Sequence, residues 1–448
     1  MAAGETIAAI ATPPGRGAIA IVRASGPAVR SLVERVFAGP PLAPRVATYG
    51  TMLDASGAAI DRGIALLFTA PASYTGEDLL ELHVHGSPIV AREMLRALVQ
   101  HGARLAGPGE FTQRAFLAGK LDLTEAEAVA DVIDAESRGA ALAATARLAG
   151  GVRTIVESIR AELAVTLEQL AGAIDFPDEV PEPERGTLAG ELDAIDRRLD
   201  DLVASWETGR LVREGVGVAI VGPPNAGKSS LLNALLGADR ALVSDIAGTT
   251  RDTIEETIAI DGVLVRLTDT AGLRMTADPL ERAGIERARA TLAGNRIALV
   301  VLDGSQPLDT DGREALDASS DRPRIVFLNK HDLGTSLADV ALPADVIVGS
   351  AFDPVALAAL RRAIARLGWG GETPDFARPY LASARQADAV ATAQRALAHA
   401  RRTLAEHAPI DLAAPDLVAA SAALGVIGGA EATEDVVSGI FARFCIGK

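Results

Sequence analysis

The sequence predicts a multidomain chain that combines α/β with all-α parts, and three observations carry that expectation. Strand-like and helix-like segments alternate up to about residue 118. From Thr124 the texture turns helical, with apolar residues at three-to-four spacing. Between about 215 and 368, buried strands alternate with helices, and helical pattern resumes after 375. A chain of 448 residues suggests about three domains of ordinary size. The expected division is an N-terminal α+β domain (1–118), a discontinuous helical domain (119–210 plus 375–448) and an α/β domain inserted between its halves (215–368).

The elements follow in order. AIAIVRASG (18–26) reads as a strand and turn, and Pro27 suits the first turn of the helix AVRSLVERVF. IALLFTA (64–70) and LLELHVHG (79–86) read as strands, and Pro88 starts a helix to about Gln100. TEAEAVADVIDAESRGAALAATARLAG (124–150) has almost no helix breakers, and Thr124 with Glu127 has capping-box spacing. The helical pattern runs to about Arg210, interrupted by the charged, Pro-rich connector FPDEVPEPERG (176–186). GVGVAIVG, VLVRLTD, RIALVVLDG, RIVFLNK and DVIVGS are apolar enough for a parallel sheet covered on both faces. GGETPDFARP (370–379) precedes the last helical stretch.

Composition narrows the function classes. Hydrophobic residues are 49 % and charged residues 23 %, ordinary for a globular protein, while aromatics at 3 % argue against a base-stacking platform as the main binding device. A net charge of −16 makes non-specific nucleic-acid binding poor, although a local basic patch is compatible with it. One cysteine, Cys445, leaves no intrachain disulfide framework. The N-terminus lacks the pattern of a signal peptide, and the uncharged run Leu417 to Ala430 is short of the ~20 residues of a membrane helix. No membrane association and a cytoplasmic location are expected.

Gly222-Pro-Pro-Asn-Ala-Gly227-Lys228-Ser229 matches G-x-x-x-x-G-K-S, between a strand and the helix SSLLNALLG. In such a loop backbone N–H groups wrap phosphates, Lys228 brings a point charge to the β and γ phosphates, and the Ser229 hydroxyl can meet Mg²⁺. Asp269-Thr270-Ala271-Gly272 ends the strand VLVRLTDT, where the carboxylate can hold Mg²⁺ through water and the Gly amide can meet the γ-phosphate. Asn329-Lys330-His331-Asp332 ends RIVFLNK; a carboxylate at Asp332 can pair with the 2-amino and N1–H groups of guanine, which adenine lacks. Ser350-Ala351 fits the last base-contacting loop, and Thr249-Thr250 lies where a switch loop donates a hydroxyl to Mg²⁺. Four motifs in order across one sheet point to GTP as substrate.

Leu273 follows the DTAG motif, where Ras-type enzymes carry a water-orienting Gln. Leucine can neither orient water nor stabilise charge, so hydrolysis needs another device. Asn225 can ligate a monovalent cation placed where an arginine finger otherwise puts its charge. Glu281 can position the attacking water through a bridging water. By position alone a Glu there is more often a solvated surface residue.

GPPNAGKSSLLNALLG, SDIAGTTRD (244–252), DTAGLR and CIGK (445–448), with YTGEDLLELHVHGSP (74–88) and FTQRAFLAGKLDLTEAEAVADVIDA (111–135), resemble the tRNA modification GTPase MnmE (TrmE) family over essentially the whole chain. The resemblance implies an N-terminal α+β folate-binding-like domain that dimerises, a discontinuous helical domain, and an inserted Ras-like P-loop G domain. It implies a homodimer that works on tRNA with a flavin-dependent partner, MnmG (GidA), to build a carboxymethylaminomethyl or aminomethyl group on C5 of the wobble uridine. It also implies K⁺-dependent pairing of G domains that activates GTP hydrolysis, and a one-carbon unit from a reduced folate (5-formyl- or methylene-tetrahydrofolate).

Residue by residue, the family's GTP contacts fall on Asn225, Ala226, Gly227, Lys228, Ser229, Ser230, Ser244, Asp245, Ile246, Ala247, Gly248, Thr249, Asp269, Thr270, Ala271, Gly272, Asn329, Lys330, Asp332, Ser350 and Ala351. Mg²⁺ falls to Ser229 and Thr250. K⁺ falls to Asn225 and to the carbonyls of Ser244, Ile246 and Thr249; the family commonly has Thr at the position of Ser244, a change a carbonyl ligand tolerates. Lys228 and Glu281 take the catalytic positions, the latter as the water-positioning glutamate. Arg23, Glu81, Lys120 and Lys448 fall on the folate contacts.

Without the resemblance these last residues read differently. Arg23, just past a strand, is by itself a solvated strand end, and Lys120 simply precedes a helix. His83 and His85 share one strand face, but two His without a third ligand more often pack or hydrogen-bond than bind metal. Cys445 reads either as a nucleophile or, by default for a free Cys, as a small buried hydrophobe; the family's motif keeps a thiol here. A competing function is a regulatory GTPase of ribosome assembly, whose usual basic RNA-binding module is not evident in the C-terminal helical segment. Another is a folate-dependent one-carbon enzyme with a GTPase switch.

Overall fold

The computed structural model describes residues 4–237, 255–269, 292, 294–336, 342, 345–406 and 408–448. Two compact units are present: Met1–Ala130, Arg153–Leu192 and Thr392–Lys448 form one, Asp131–Val152 and Asp193–Ala391 the other. The helical residues are thus divided between both units.

The first unit holds a seven-stranded sheet built from β1 (Ile7–Ile10), β2 (Ile19–Ser25), β3 (Phe37–Ala38), β4 (Thr48–Leu53), β5 (Ala59–Phe68), β6 (Leu79–His85) and β7 (Arg104–Leu105). Its order is β3-β4-β5-β6-β2-β1-β7, antiparallel throughout except for β1 with β7. Side chains alternate across a strand. Ala20, Val22 and Ala24 of β2 and Leu80, Leu82 and Val84 of β6 therefore bury one face beneath Leu32, Met94 and Leu98 of the helices Val29–Val36 and Pro88–Gln100. The same alternation sends Arg23, Glu81 and His83 to the opposite face. Arg23 is not past a strand but the fifth residue of β2, directly opposite Glu81 in the ladder.

The helix after Lys120 begins two residues earlier than the capping-box reading, at Leu123. Asp122 Oδ1 accepts the Glu125 amide at 2.7 Å, and Glu125 Oε2 accepts the Asp122 amide at 2.7 Å. DLTEAE offers two overlapping boxes, and the one headed by Asp, the stronger N-cap, wins over Thr124 with Glu127. The following stretch is not one helix: Ser137 Oγ accepts the Ala140 amide and starts the separate helix Arg138–Leu148. The helix Gly151–Asp175 then stops at the Pro-rich connector, and the helix Arg185–Glu214 begins beyond it.

The stretch Ile410–Gly428, 19 residues of mean hydropathy 1.7, is long and apolar enough to cross a membrane, unlike the shorter uncharged run Leu417–Ala430 that overlaps it. Its Leu417, Ala420, Leu424 and Ile427 are fully buried inside the unit, while Leu412 and Val418 are exposed. Past the helix Glu434–Phe441 the chain returns to the sheet: the Gly109 amide donates to Cys445 O at 3.5 Å and the Phe111 amide to Lys448 O at 3.1 Å. Gly447 adopts φ 99°, and a side chain there would collide with the carbonyl of Ile10.

The second unit holds a six-stranded sheet: β8 (Val216–Val221), β9 (Glu255–Ile260), β10 (Val263–Asp269), β11 (Ile297–Asp303), β12 (Arg324–Asn329) and β13 (Val346–Val348), in the order β13-β12-β11-β8-β10-β9. All neighbours are parallel except β10 with β9. One face packs Val218, Ile220, Val265, Leu299 and Phe327 against the helices Lys228–Gly237 and Pro354–Trp369. The other packs Ala219, Val300 and Val326 against Ala315 and Leu316 of the helix Thr310–Ala318. The edge strand β9 lacks the continuous apolar run that marks the others; only Ile258 and Ile260 are buried.

Candidate functional site

In a parallel sheet the loops leaving the carboxyl ends of the strands share one edge, where ligands bind. Here β8, β10, β11, β12 and β13 deliver Gly222, Asp269, Asp303, Asn329 and Ser350 to that edge.

The loop after β8 is made by its sequence. Gly222 at φ 144° passes so close to the Val301 carbonyl that no Cβ fits. Asn225 takes the left-handed conformation, φ 61°, which Asn tolerates better than most residues. The loop then runs into the helix Lys228–Gly237, whose first amides and dipole favour an anion. Lys228 is only 8 % exposed, and its ammonium donates to the carbonyls of Gly222 (2.9 Å) and Pro223 (2.8 Å). Burial pushes its pKa down, and the Asp269 carboxylate partly opposes this.

Ser229 Oγ donates to Asp269 Oδ2 at 3.3 Å. A hydroxyl and a carboxylate side by side are the hard oxygen donors that suit Mg²⁺. Asn225, Ser229 and Ser230 are exposed, while Ala226 is buried and offers its carbonyl to the neighbouring loop.

Asn329, 3 % exposed, joins three loops. Its Nδ2 donates to Ala226 O at 2.9 Å and its Oδ1 accepts the Ala351 amide at 2.9 Å. Gly227 must lack a side chain because a Cβ would run into that Asn329 amide. Lys330, also left-handed at φ 63°, donates to Asp303 Oδ2 at 2.7 Å. Burial would raise the Asp303 pKa, but hydrogen bonds from Lys330 and Ser305 outweigh it and hold the carboxyl below its usual range. Asp332 lies exposed in the turn His331–Leu333, free of the core and able to meet a base edge. The Ser350 hydroxyl accepts the Phe352 amide at 3.3 Å.

Twelve of the nucleotide residues expected from the sequence are therefore gathered at one sheet edge: Asn225 to Ser230, Asp269, Asn329, Lys330, Asp332, Ser350 and Ala351. Ser244, Asp245, Ile246, Ala247, Gly248, Thr249, Thr250, Thr270, Ala271, Gly272, Leu273 and Glu281 lie outside the described residues. Asp303 was not read from the sequence, although an Asp at the end of an otherwise apolar strand is the signal that marks it.

A second polar cluster lies on the open sheet face of the first unit. Arg23 Nε and Nη2 donate to Glu81 Oε1 at 3.0 and 2.7 Å, with both side chains under one-fifth exposed. The guanidinium stands 5.7 Å from the Phe111 ring centre and 5.9 Å from that of Tyr74, within cation–π range. Burial raises the pKa of the Tyr74 phenol, which meets Thr112 Oγ1 at 3.0 Å.

Phe111 links this cluster to the C-terminal tail, since its amide binds Lys448 O. Lys120 is exposed beyond the helix Glu110–Leu117, beside Gly76 of the loop that carries Tyr74. The structure thus groups Arg23, Glu81 and the Lys448 backbone; Lys120 lies near Gly76.

Sequence reasoning missed the two aromatic rings and the ion network behind them. Glu110 binds Arg104 at 2.7 Å and Arg114 at 2.9 Å, and Arg114 reaches Glu77 at 3.0 Å. Burial alone would raise the Glu110 pKa, but these guanidinium bonds and the Gly107 amide bring it to about 2. His83 and His85 go to different carboxylates, Glu81 at 3.5 Å and Asp61 at 2.8 Å. Cys445 is exposed rather than buried.

Comparison with known proteins places both halves of the chain. The family model described as GTP-binding protein TrmE N-terminus matches residues 6–120, and that of the MnmE helical domain matches residues 123–445. The tRNA modification GTPase MnmE of Neisseria meningitidis serogroup C is 44 % identical over 449 residues, covering 99 % of each chain. Its counterparts from Chloroflexus aurantiacus and Moorella thermoacetica are 42 % and 41 % identical, each aligned over 99 % of this chain and 100 % and 99 % of their own.

Proposed function

The chain belongs to the MnmE family of tRNA modification GTPases, and from that premise we propose that it is a K⁺-activated GTP hydrolase acting as a homodimer in the cytoplasm. With the flavoprotein MnmG (GidA) it drives addition of a carboxymethylaminomethyl group to C5 of the wobble uridine of certain tRNAs. Residues 215–368 form the G domain, 1–118 the dimerising and folate-binding domain, and 119–210 plus 375–448 the helical domain.

The observation that supports this most is the convergence at one sheet edge of Lys228, the Ser229–Asp269 pair and the Asn329 bridge. Phosphate arriving at the loop would take the Lys228 ammonium from the carbonyls it now binds. Ser229 and Thr250 would hold Mg²⁺, which neutralises charge on the phosphates. Asn225, with the carbonyls of Ser244, Ile246 and Thr249, would hold K⁺, and Glu281 would orient the attacking water. Asp332 would read the guanine edge.

In the N-terminal domain, Arg23, Glu81, Lys120 and Lys448 would bind the reduced folate. A pterin ring offers donors to Glu81 and a flat face to Tyr74, and the two lysines suit the carboxylates of the folate's glutamyl tail.

Two experiments test the reading on the full chain. GTP hydrolysis should rise when Na⁺ is replaced by K⁺; equal rates reject the cation. Nucleoside mass spectrometry of tRNA from cells lacking the protein should show wobble uridines without their C5 substituents. Intact modification with defective ribosomal subunits would favour ribosome assembly instead.

A further inference from the structure

Among the described residues the three most exposed large apolar side chains are Phe352 (83 %), Val355 (73 %) and Leu333 (70 %). All three lie just beyond β12 and β13, on the edge that carries Asp332. In a chain with 3 % aromatic residues, a phenyl ring left in water at that edge needs an occupant to cover it.

The ring is displayed by a pinned backbone. The Ala351 amide is held by buried Asn329, the Phe352 amide by Ser350 Oγ, and the Asp353 amide by Ser350 O at 2.9 Å. Asp353 then caps the helix Pro354–Trp369 by accepting the Val355 amide at 2.9 Å. The two loops are joined as well, because the His331 amide donates to Gly349 O at 3.1 Å. An exposed aromatic ring on a loop joined to the one that carries an exposed carboxylate matches a purine, which has an apolar face and a polar edge.

We propose that Phe352 stacks on the face of the base whose edge Asp332 reads, and so sets affinity for the nucleotide without discriminating among purines that keep the N1–H donor. This rests on the guanine-nucleotide reading of the site. Stacking contributes to every such base alike, whereas the carboxylate responds to the 2-amino group. The exposed position also means that the side chain can be changed without disturbing a core.

The test uses the full-length protein with GDP and IDP, titrated by calorimetry with Mg²⁺ present. Phe352→Ala should weaken both nucleotides by the same factor, about tenfold, with thermal unfolding of the free protein unchanged. Phe352→Trp should keep the affinity, and GDP should quench its added indole emission beyond any change in the parent, which carries Trp206 and Trp369. Wild-type affinity in Phe352→Ala overturns the proposal. So does a variant with normal affinity but altered sedimentation, which would make the patch a contact between copies. A parent protein that binds no GDP overturns the guanine reading itself, and that result needs no variant.

Discussion

Asn329→Ala is the sharpest perturbation of the nucleotide edge. The side chain is 3 % exposed and makes two bonds of 2.9 Å, one to the Ala226 carbonyl and one from the Ala351 amide. Truncation removes both and leaves a buried acceptor and a buried donor unpaired. Each orphan costs about 1–3 kcal/mol, so the pair costs roughly 2–6 kcal/mol. Under the proposed reading the three loops it ties face the nucleotide, so the penalty should show in binding as well as in folding stability. At 1.4 kcal/mol per factor of ten, a penalty felt wholly in binding would lower GDP affinity roughly thirty- to ten-thousandfold. Calorimetric titration of the full chain at fixed Mg²⁺ reads this directly. Asn329→Asp should not rescue it, because a carboxylate cannot donate to the Ala226 carbonyl. If Asn329→Ala bound GDP within threefold of the parent, the bridge would not organise the site and the argument from it would fail.

Other outcomes follow from the same geometry. Gly227→Ala should weaken GDP at least as much, since the added methyl meets the Asn329 amide; normal binding would show that the loop gives way. Glu281→Ala should keep GTP affinity but lose most turnover, and normal turnover would return Glu281 to the surface. Glu110 titrates at about 2 when folded against an ordinary 4.5, so its contribution of about 3 kcal/mol is full above pH 4.5 and fades as pH falls toward 2. Glu110→Gln should flatten that acid limb, measured by urea unfolding from pH 5 to 2.5. Removing Lys448 should weaken binding of 5-formyl-tetrahydrofolate, and unchanged affinity by calorimetry would reject its assignment.

The sheet of the second unit was legible because its strands are continuous apolar runs, from Val216–Val221 to Arg324–Asn329, each ending in a polar motif. The motif order then placed Lys228, Asp269 and Asn329 on one edge. The edge strand Glu255–Ile260 was not legible, because a strand paired on one side has a polar face that mimics a loop. The helix start at Leu123 lies two residues before the Thr124 reading because two capping boxes overlap, and only the chemistry of Asp against Thr separates them. The aromatic walls around Arg23 could not be read at all: Tyr74 and Phe111 are brought to it by long-range pairing, which leaves no local periodicity. The exposed Phe352 carried no signal in a string of letters, since exposure is not written in composition.

The return of the tail to the sheet fixes an order of events. A chain made on the ribosome releases its N-terminal strands first, yet the amides of Gly109 and Phe111 wait for carbonyls of Cys445 and Lys448. Throughout synthesis those two donors must be hydrated, and the seam at Pro108, which pairs with Ile446, stays open.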